Sequence, residues 1–223
     1  MILALEATDR GGSIALAEDG DLLDLDFRDS DVTHSERLMP VLENLLNRRN
    51  RSYDDIEGVA VARGPGSFTA IRLAVTTAKT LAMTCEVPIL APTTLRVMAE
   101  YTGTNDGSIV CVLDARRGEV YVQRFRVEAG NRQPLGDPEL MNPEDLDVSG
   151  STRVVFRGRE HEPSDLTGVP DEAFVPGALS RPLAGGLIAM SRNEDVEWRS
   201  NPDGVAPCYV RKSDAQRNTN GDN

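Results

Sequence analysis

Along the first hundred residues the spacing of hydrophobic positions changes period. Residues 2–8 form a short apolar run, Gly11-Gly12 offers a turn, and residues 13–17 resume the run. Asp19-Gly20 is a second turn signal, after which residues 22–27 alternate apolar and acidic side chains. Short runs bounded by Gly and Asp predict a three-stranded antiparallel meander. Then Leu38, Leu42, Leu45 and Leu46 recur at helical spacing, which predicts a helix ending near Asn50. Thr33 and Glu36 have capping-box spacing at its start, where each side chain can satisfy a free first-turn amide. Residues 58–62 are mostly apolar, as in a strand buried in a parallel sheet. Gly64-Pro65-Gly66-Ser67 leads into a second helix over residues 68–83, and residues 87–91 read as another strand. Pro92-Thr93-Thr94 opens a third helix through Glu100, with a threonine as its cap.

The predicted order is β-β-β-α-β-α-β-α. Three antiparallel strands followed by helix–strand alternation put the chain in the α/β class, and the order resembles one half of an actin-like, ribonuclease-H-like (ASKHA) two-lobed fold. Around residues 103–107 the composition turns polar, and the chain begins again. Residues 109–114 read as a strand, Ala115-Arg116-Arg117-Gly118 as a turn, and residues 119–126 as a second strand. Leu5-Glu6-Ala7 and Leu113-Asp114-Ala115 match in position, which points to a duplicated unit. The second copy decays. Residues 129–180 are rich in Pro, Gly and acids, with one strand candidate at 153–156. A helix follows near 182–192, although Gly185-Gly186 weakens the helical pattern. The expected organisation is an N-terminal lobe (1–103), a reduced second lobe (104–211) and a polar, disordered tail (212–223).

Charge narrows the function classes. The chain has 36 acidic and 24 Lys or Arg residues, a net charge of −12, so as a whole it repels phosphates. A free-standing RNA binder needs a basic surface, so if RNA is involved a partner is expected to carry most of the contact. Arg48, Arg49 and Arg51 form a local basic cluster that reads as a solvated helix end. The longest apolar runs are far short of a membrane span, and the first residues lack a signal peptide's basic start. Cys85, Cys111 and Cys208 lie far apart, without metal or redox spacing. A cytoplasmic protein without membrane association is expected.

The candidate chemistry is sparse. Glu6, Thr8 and Asp114 stand at strand ends, where nucleotide-binding folds of this order place acids for magnesium and turns for phosphate. They read either as that chemistry or as turn residues kept after it was lost. The second is favoured, because Glu6 is longer than the usual Asp and Asp9-Arg10 would crowd a phosphate. The loop Gly64, Pro65, Gly66, Ser67, Phe68, Thr69 can in principle hold an anion through free amides at a helix start. It lacks the Lys-Ser or Lys-Thr pair of a Walker loop, so a tight strand-to-helix turn with Ser67 as cap is the favoured reading. His34 and His161 are far apart and do not share a helix face as a metal pair would. Cys85 has no histidine nearby in sequence to serve as base. No catalytic residue, metal or cofactor is expected.

Four segments, in order, carry a family resemblance. These are His34-Ser35-Glu36-Arg37-Leu38-Met39-Pro40, Gly64 through Arg72, Asp114-Ala115-Arg116-Arg117-Gly118-Glu119-Val120-Tyr121, and Pro207 through Lys212. They resemble the HSERLLP, GPGSFTGLR, DARRGEVY and P-x-Y-x-R elements of the bacterial TsaB (YeaZ) family, with Ala70 in place of a usual Gly. The resemblance implies a shortened, non-catalytic paralogue of TsaD, the subunit that transfers threonylcarbamoyl to a tRNA adenosine beside the anticodon. It implies a heterodimer with TsaD, a larger assembly with TsaE, a homodimer when alone, and tRNA held mainly by partners. Pairing in the family packs the first two helices of each subunit together. On this chain that implicates His34, Arg37, Leu38, Val41 and Leu45 on the first helix. On the second it implicates Ile71, Arg72, Val75 and Ala78, so Val75→Arg is expected to abolish pairing without unfolding the chain. The rival readings are a small kinase or ATPase of the same superfold, a metallopeptidase of the glycoprotease type, which the histidine count disfavours, and a tRNA binder, which the acidity disfavours.

Overall fold

A computed structural model describes residues 1–8, 12–28, 34–158, 166, 171–175 and 181–211. Thr33, Asp9, Arg10, His161 and the tail 212–223 lie outside the described residues, as do the side chains of His34, Glu36 and Arg37. The first sheet contains β1 (Ile2–Glu6), β2 (Gly12–Glu18), β3 (Asp21–Arg28), β4 (Gly58–Val61) and β5 (Ile89–Leu90), in the order β3-β2-β1-β4-β5. β1 pairs antiparallel with β2, ending at Glu6 opposite Ser13, and parallel with β4. Between these strands run α1 (His34–Arg48) and α2 (Phe68–Thr84), and α3 (Thr94–Met98) follows β5. Thr93 caps α3 as its sequence predicts, its hydroxyl accepting from the Arg96 amide at 3.1 Å.

The second sheet repeats the plan. β6 (Gly107–Arg116) and β7 (Glu119–Glu128) form its central hairpin, and β10 (Arg153–Arg157) lies parallel beside β6 as β4 lies beside β1. Two strands escaped the sequence reading: β8 (Asn131–Pro134) and β9 (Glu139–Met141), both paired antiparallel with β7. They are short, polar and without alternation, so pairing to β7 rather than local preference makes them strands. β5 is two residues long rather than five, and Arg199 covers its outer edge through two 2.9 Å backbone hydrogen bonds with Ile89.

Strand alternation divides the core. Leu3, Leu5, Ile14, Leu16, Val59 and Val61 face one way and pack against α1 and α2. Ala4, Ala15, Ala17, Ala60 and Ala62 face the other way, into a layer shared with α3, α4 (Leu183–Ser191) and the second sheet. Large side chains fill the space under two helices, while alanines let the inner layer come close. α4 crosses α3 at Gly186, where a Cβ would lie 2.7 Å from Val97 Cγ1, so the glycine that weakens the helical pattern is required by packing. The basic cluster after α1 is neutralised in place. Arg48 and Arg49 pair with Asp24 at 3.3 and 3.2 Å, and Arg51 with Glu18 at 2.6 Å.

Tyr101 joins the second sheet's approach to α4. Its hydroxyl donates to the Pro182 carbonyl and accepts from the Gly186 amide at 3.2 Å, and burial pushes its pKa up to about 12. Tyr101→Phe is expected to lower stability by about 1–2 kcal/mol, because it strips a helix-start amide of its acceptor. Urea melts of the two proteins check this.

Candidate functional site

β1 ends in Glu6, which is 2% exposed. Both of its carboxylate oxygens are occupied. The Thr8 amide, at 2.6 Å, and the Thr8 hydroxyl donate to Oε1, and the Ser13 hydroxyl donates to Oε2 at 3.0 Å. Ser13 Oγ in turn accepts from the Ala184 amide at 3.0 Å. Pro182 gives α4 no side-chain cap, so Ser13 of β2 takes that place, and Glu6 holds Ser13. The acid at the strand end is therefore a structural bracket between β1, β2 and α4.

The loop after β4 is clamped on three sides. The Ser67 amide donates to the Thr8 carbonyl at 2.7 Å, the Thr94 amide to Gly64 at 2.8 Å, and the Cys208 amide to Arg63 at 2.6 Å. Gly66 has φ +155, and a Cβ there would meet the Thr8 carbonyl oxygen at 2.3 Å. The tight-turn reading of this loop thus has a physical basis in the close approach of β1. Ser67 is the N-cap residue of α2 by position, but its side chain makes no cap hydrogen bond.

The second hairpin turns through Arg117 and Gly118, with φ 60 and 78, and Arg116 before them is also left-handed at φ 59. Positive φ at both central residues matches the twist of a two-residue hairpin. The Asp114 carboxylate accepts from the Arg116 amide at 2.6 Å. Arg211 reaches this turn from the C-terminal segment. Its Nη1 donates to the Ala115 carbonyl at 2.8 Å, its Nη2 to the Arg116 carbonyl at 3.2 Å, and it forms an ion pair with Glu119. Two residues earlier, Tyr209 stacks on Phe68 with ring centroids 4.6 Å apart.

Three of the four sequence elements therefore meet around one cleft of about 510 Å³ between the two sheets' hairpins. Thr8, Gly66, Ser67, Thr69 and Asp114 line it, whereas Glu6 lies buried beneath Thr8. Phe68, Arg116, Arg117, Arg157, Tyr209 and Arg211 also line it. Sequence reasoning missed these as site residues, although most stand inside the quoted motifs. Burial pushes the Cys208 thiol in this cleft up, as it does Cys85 and Cys111, so none is held as a thiolate nucleophile. Among the described residues no group of three His, Cys, Asp or Glu side chains is placed to hold a metal.

The residues assigned to pairing lie elsewhere. Leu38, Leu45, Ile71, Val75 and Ala78 are buried in the chain's own core against the first sheet, and Val41 is half-buried. Only Arg72 of the described set is exposed. The reason is the large-residue face of the first sheet, which these side chains cover. The five buried ones are not available to a partner, and the placement of Val75 on a pairing surface is corrected.

Two hairpin sheets with this repeated order and a cleft between them define an actin-like α/β protein. A YeaZ structure from Pseudomonas aeruginosa superposes with a TM-score of 0.73 at 24% identity, covering 93% of this chain and 98% of that one. The family model described as TsaD, tRNA N6-adenosine threonylcarbamoyltransferase, matches residues 28–156. The chain is 28% identical to a Bacillus subtilis protein named tRNA threonylcarbamoyladenosine biosynthesis protein TsaB, over 96% of both chains. It is 29% identical to the Escherichia coli protein of that name, over 99% of this chain and 98% of the relative. The chain belongs to the TsaD family, in its TsaB (YeaZ) branch.

Proposed function

We propose that this chain is a non-catalytic partner subunit in the synthesis of threonylcarbamoyladenosine on tRNA, pairing with a TsaD-type transferase. The names of its full-length relatives give the process. The observation that carries the subunit role is Glu6: its carboxylate is buried and engaged by Thr8 and Ser13, and it does not line the cleft. The two lobes, 1–103 and 104–211, then serve as a scaffold rather than as jaws of a kinase. TsaE joins the larger assembly, tRNA is held mainly by the partners, and the chain pairs with itself when TsaD is absent.

The pairing face is the exposed side of α2. Arg72, Thr76, Thr80 and Met83 recur at helical spacing and are exposed, Met83 at 54%. Small residues allow a second helix to come close. The Thr80 hydroxyl already donates to the Thr76 carbonyl at 3.0 Å, so covering it strands no donor. Thr76→Arg is expected to weaken pairing at least thirtyfold, on the order of a central interface residue, while the fold persists. Sedimentation velocity of the chain with TsaD checks this. Pairing of the variant at wild-type affinity, or ATP turnover by the chain alone, would overturn the reading.

A further inference from the structure

α2 carries no acidic residue over its 17 positions, in a chain where 36 of 223 residues are acids. Its exposed side chains include Phe68, Arg72, Thr76, Thr80 and Thr84, one ridge at i+4 spacing, with Thr69 and Met83 beside it. A face turned only to water in so acidic a chain would carry its share of carboxylates. Loss of acids, with arginine and large apolar groups kept, is the composition of an interface centre.

The large apolar side chains that stay exposed single out one end of this ridge. Among the described residues they are Leu22, Met39, Phe68, Met83, Leu135 and Tyr209. Phe68 opens the ridge and Met83 stands near its far end. Tyr209 reaches the ridge from the C-terminal segment and stacks on Phe68, ring planes 24° apart. Phe68 is 43% and Tyr209 45% exposed, so close to half of each remains in solvent after they stack. The segment that brings Tyr209 is already seated along α2. Lys79 Nζ donates to the Asp203 carbonyl at 3.0 Å, Val205 joins the core that α2 covers, and the Cys208 amide donates to the Arg63 carbonyl at 2.6 Å. Two rings held in place before a partner arrives lose little side-chain freedom when they are covered.

We propose that the partner's seat on this chain does not end with α2 but extends onto the Phe68–Tyr209 stack, with Tyr209 as its anchor. This rests on the pairing reading above, and the occupant is the same TsaD-type transferase, meeting the two rings with an apolar hollow. The pairing surface is then drawn from both sheets' hairpins. Tyr209 lies two residues from Arg211, whose guanidinium donates to the Ala115 and Arg116 carbonyls of the second hairpin. A partner that covers Tyr209 also fixes the segment tying the two hairpins together, and it stands at the rim of the cleft that both rings line.

The test is hydroxyl-radical footprinting of the full chain, alone and saturated with TsaD, with complex formation read by sedimentation velocity on the same samples. Oxidation of Phe68, Met83 and Tyr209 is expected to fall severalfold in the complex, while Leu22 on β3 and Leu135 after β8 react as before. This measurement needs no variant to fold. Alongside it, Tyr209→Ala is expected to weaken pairing about tenfold or more, and Tyr209→Phe, which keeps the stacked ring, to stay within about twofold of the wild type. Protection of Met83 without Phe68 and Tyr209, in a formed complex, confines the partner to α2; it overturns the proposal and leaves the pairing reading intact. No complex, or a complex that protects none of the three, removes the pairing reading and the proposal with it. Protection of the two rings in the self-paired chain but not in the TsaD complex assigns them to a second copy of this chain and overturns the proposal. So does a Tyr209→Ala protein that melts and pairs as the wild type does.

Discussion

Val75→Arg is expected to unfold the chain, not to leave a folded protein that has lost its partner. Val75 is 2% exposed and packs under α2 against the large-residue face of the first sheet, among Leu3, Leu5 and Val61. An arginine there must bury a charge without a carboxylate or displace the helix. A buried, unpaired charge costs several kcal/mol, a large part of the about 5–15 kcal/mol that holds a domain together. Thr76, the next residue, is exposed, so Thr76→Arg meets only water in the free chain. The two variants separate the core from the pairing face by one position. Circular dichroism melts should show Val75→Arg without a cooperative transition near that of the wild type, and Thr76→Arg with one. A folded Val75→Arg protein would place α2 differently from the arrangement described here.

The same boundary explains what was legible in the sequence. Helical spacing showed that Leu38, Leu42, Leu45, Leu46, Ile71 and Val75 belong to apolar stripes, and they do. Spacing cannot say whether a stripe faces the chain's own sheet or another subunit, because burial by either looks alike in one dimension. One further signal was present. β1, β2 and β4 alternate leucine, isoleucine or valine with alanine, which marks the strand faces as unequal and directs the larger one toward two helices. The hairpin repeat was legible because each copy carries its own apolar run, acid and turn. β8 and β9 were not, since their strand character comes from β7. The convergence of three motifs on one cleft was out of reach, because it depends on the segment 207–211 crossing from the first unit to the second.

Gly66→Ala is expected to disrupt that convergence. The added Cβ would lie 2.3 Å from the Thr8 carbonyl oxygen and 3.0 Å from Thr8 Cβ, and both neighbours are held, since Thr8 is tied to Glu6. The backbone conformation alone, at φ +155, costs an L-residue about 1–3 kcal/mol. Relieving the clash means breaking the 2.7 Å bond from the Ser67 amide to Thr8, which sets where α2 begins. Moving that end shifts Phe68, and with it the stack on Tyr209 and the seat of the C-terminal segment. The expected result is a lowered melting temperature together with faster proteolysis near residues 207–211. Gly136→Ala, where φ is not positive and nothing lies within 4 Å of the added Cβ, is the matched control and should change neither. If Gly66→Ala lowers the melting temperature but leaves the segment protected, then Arg211 holds it independently of the loop, and the segment is fixed from the second hairpin alone.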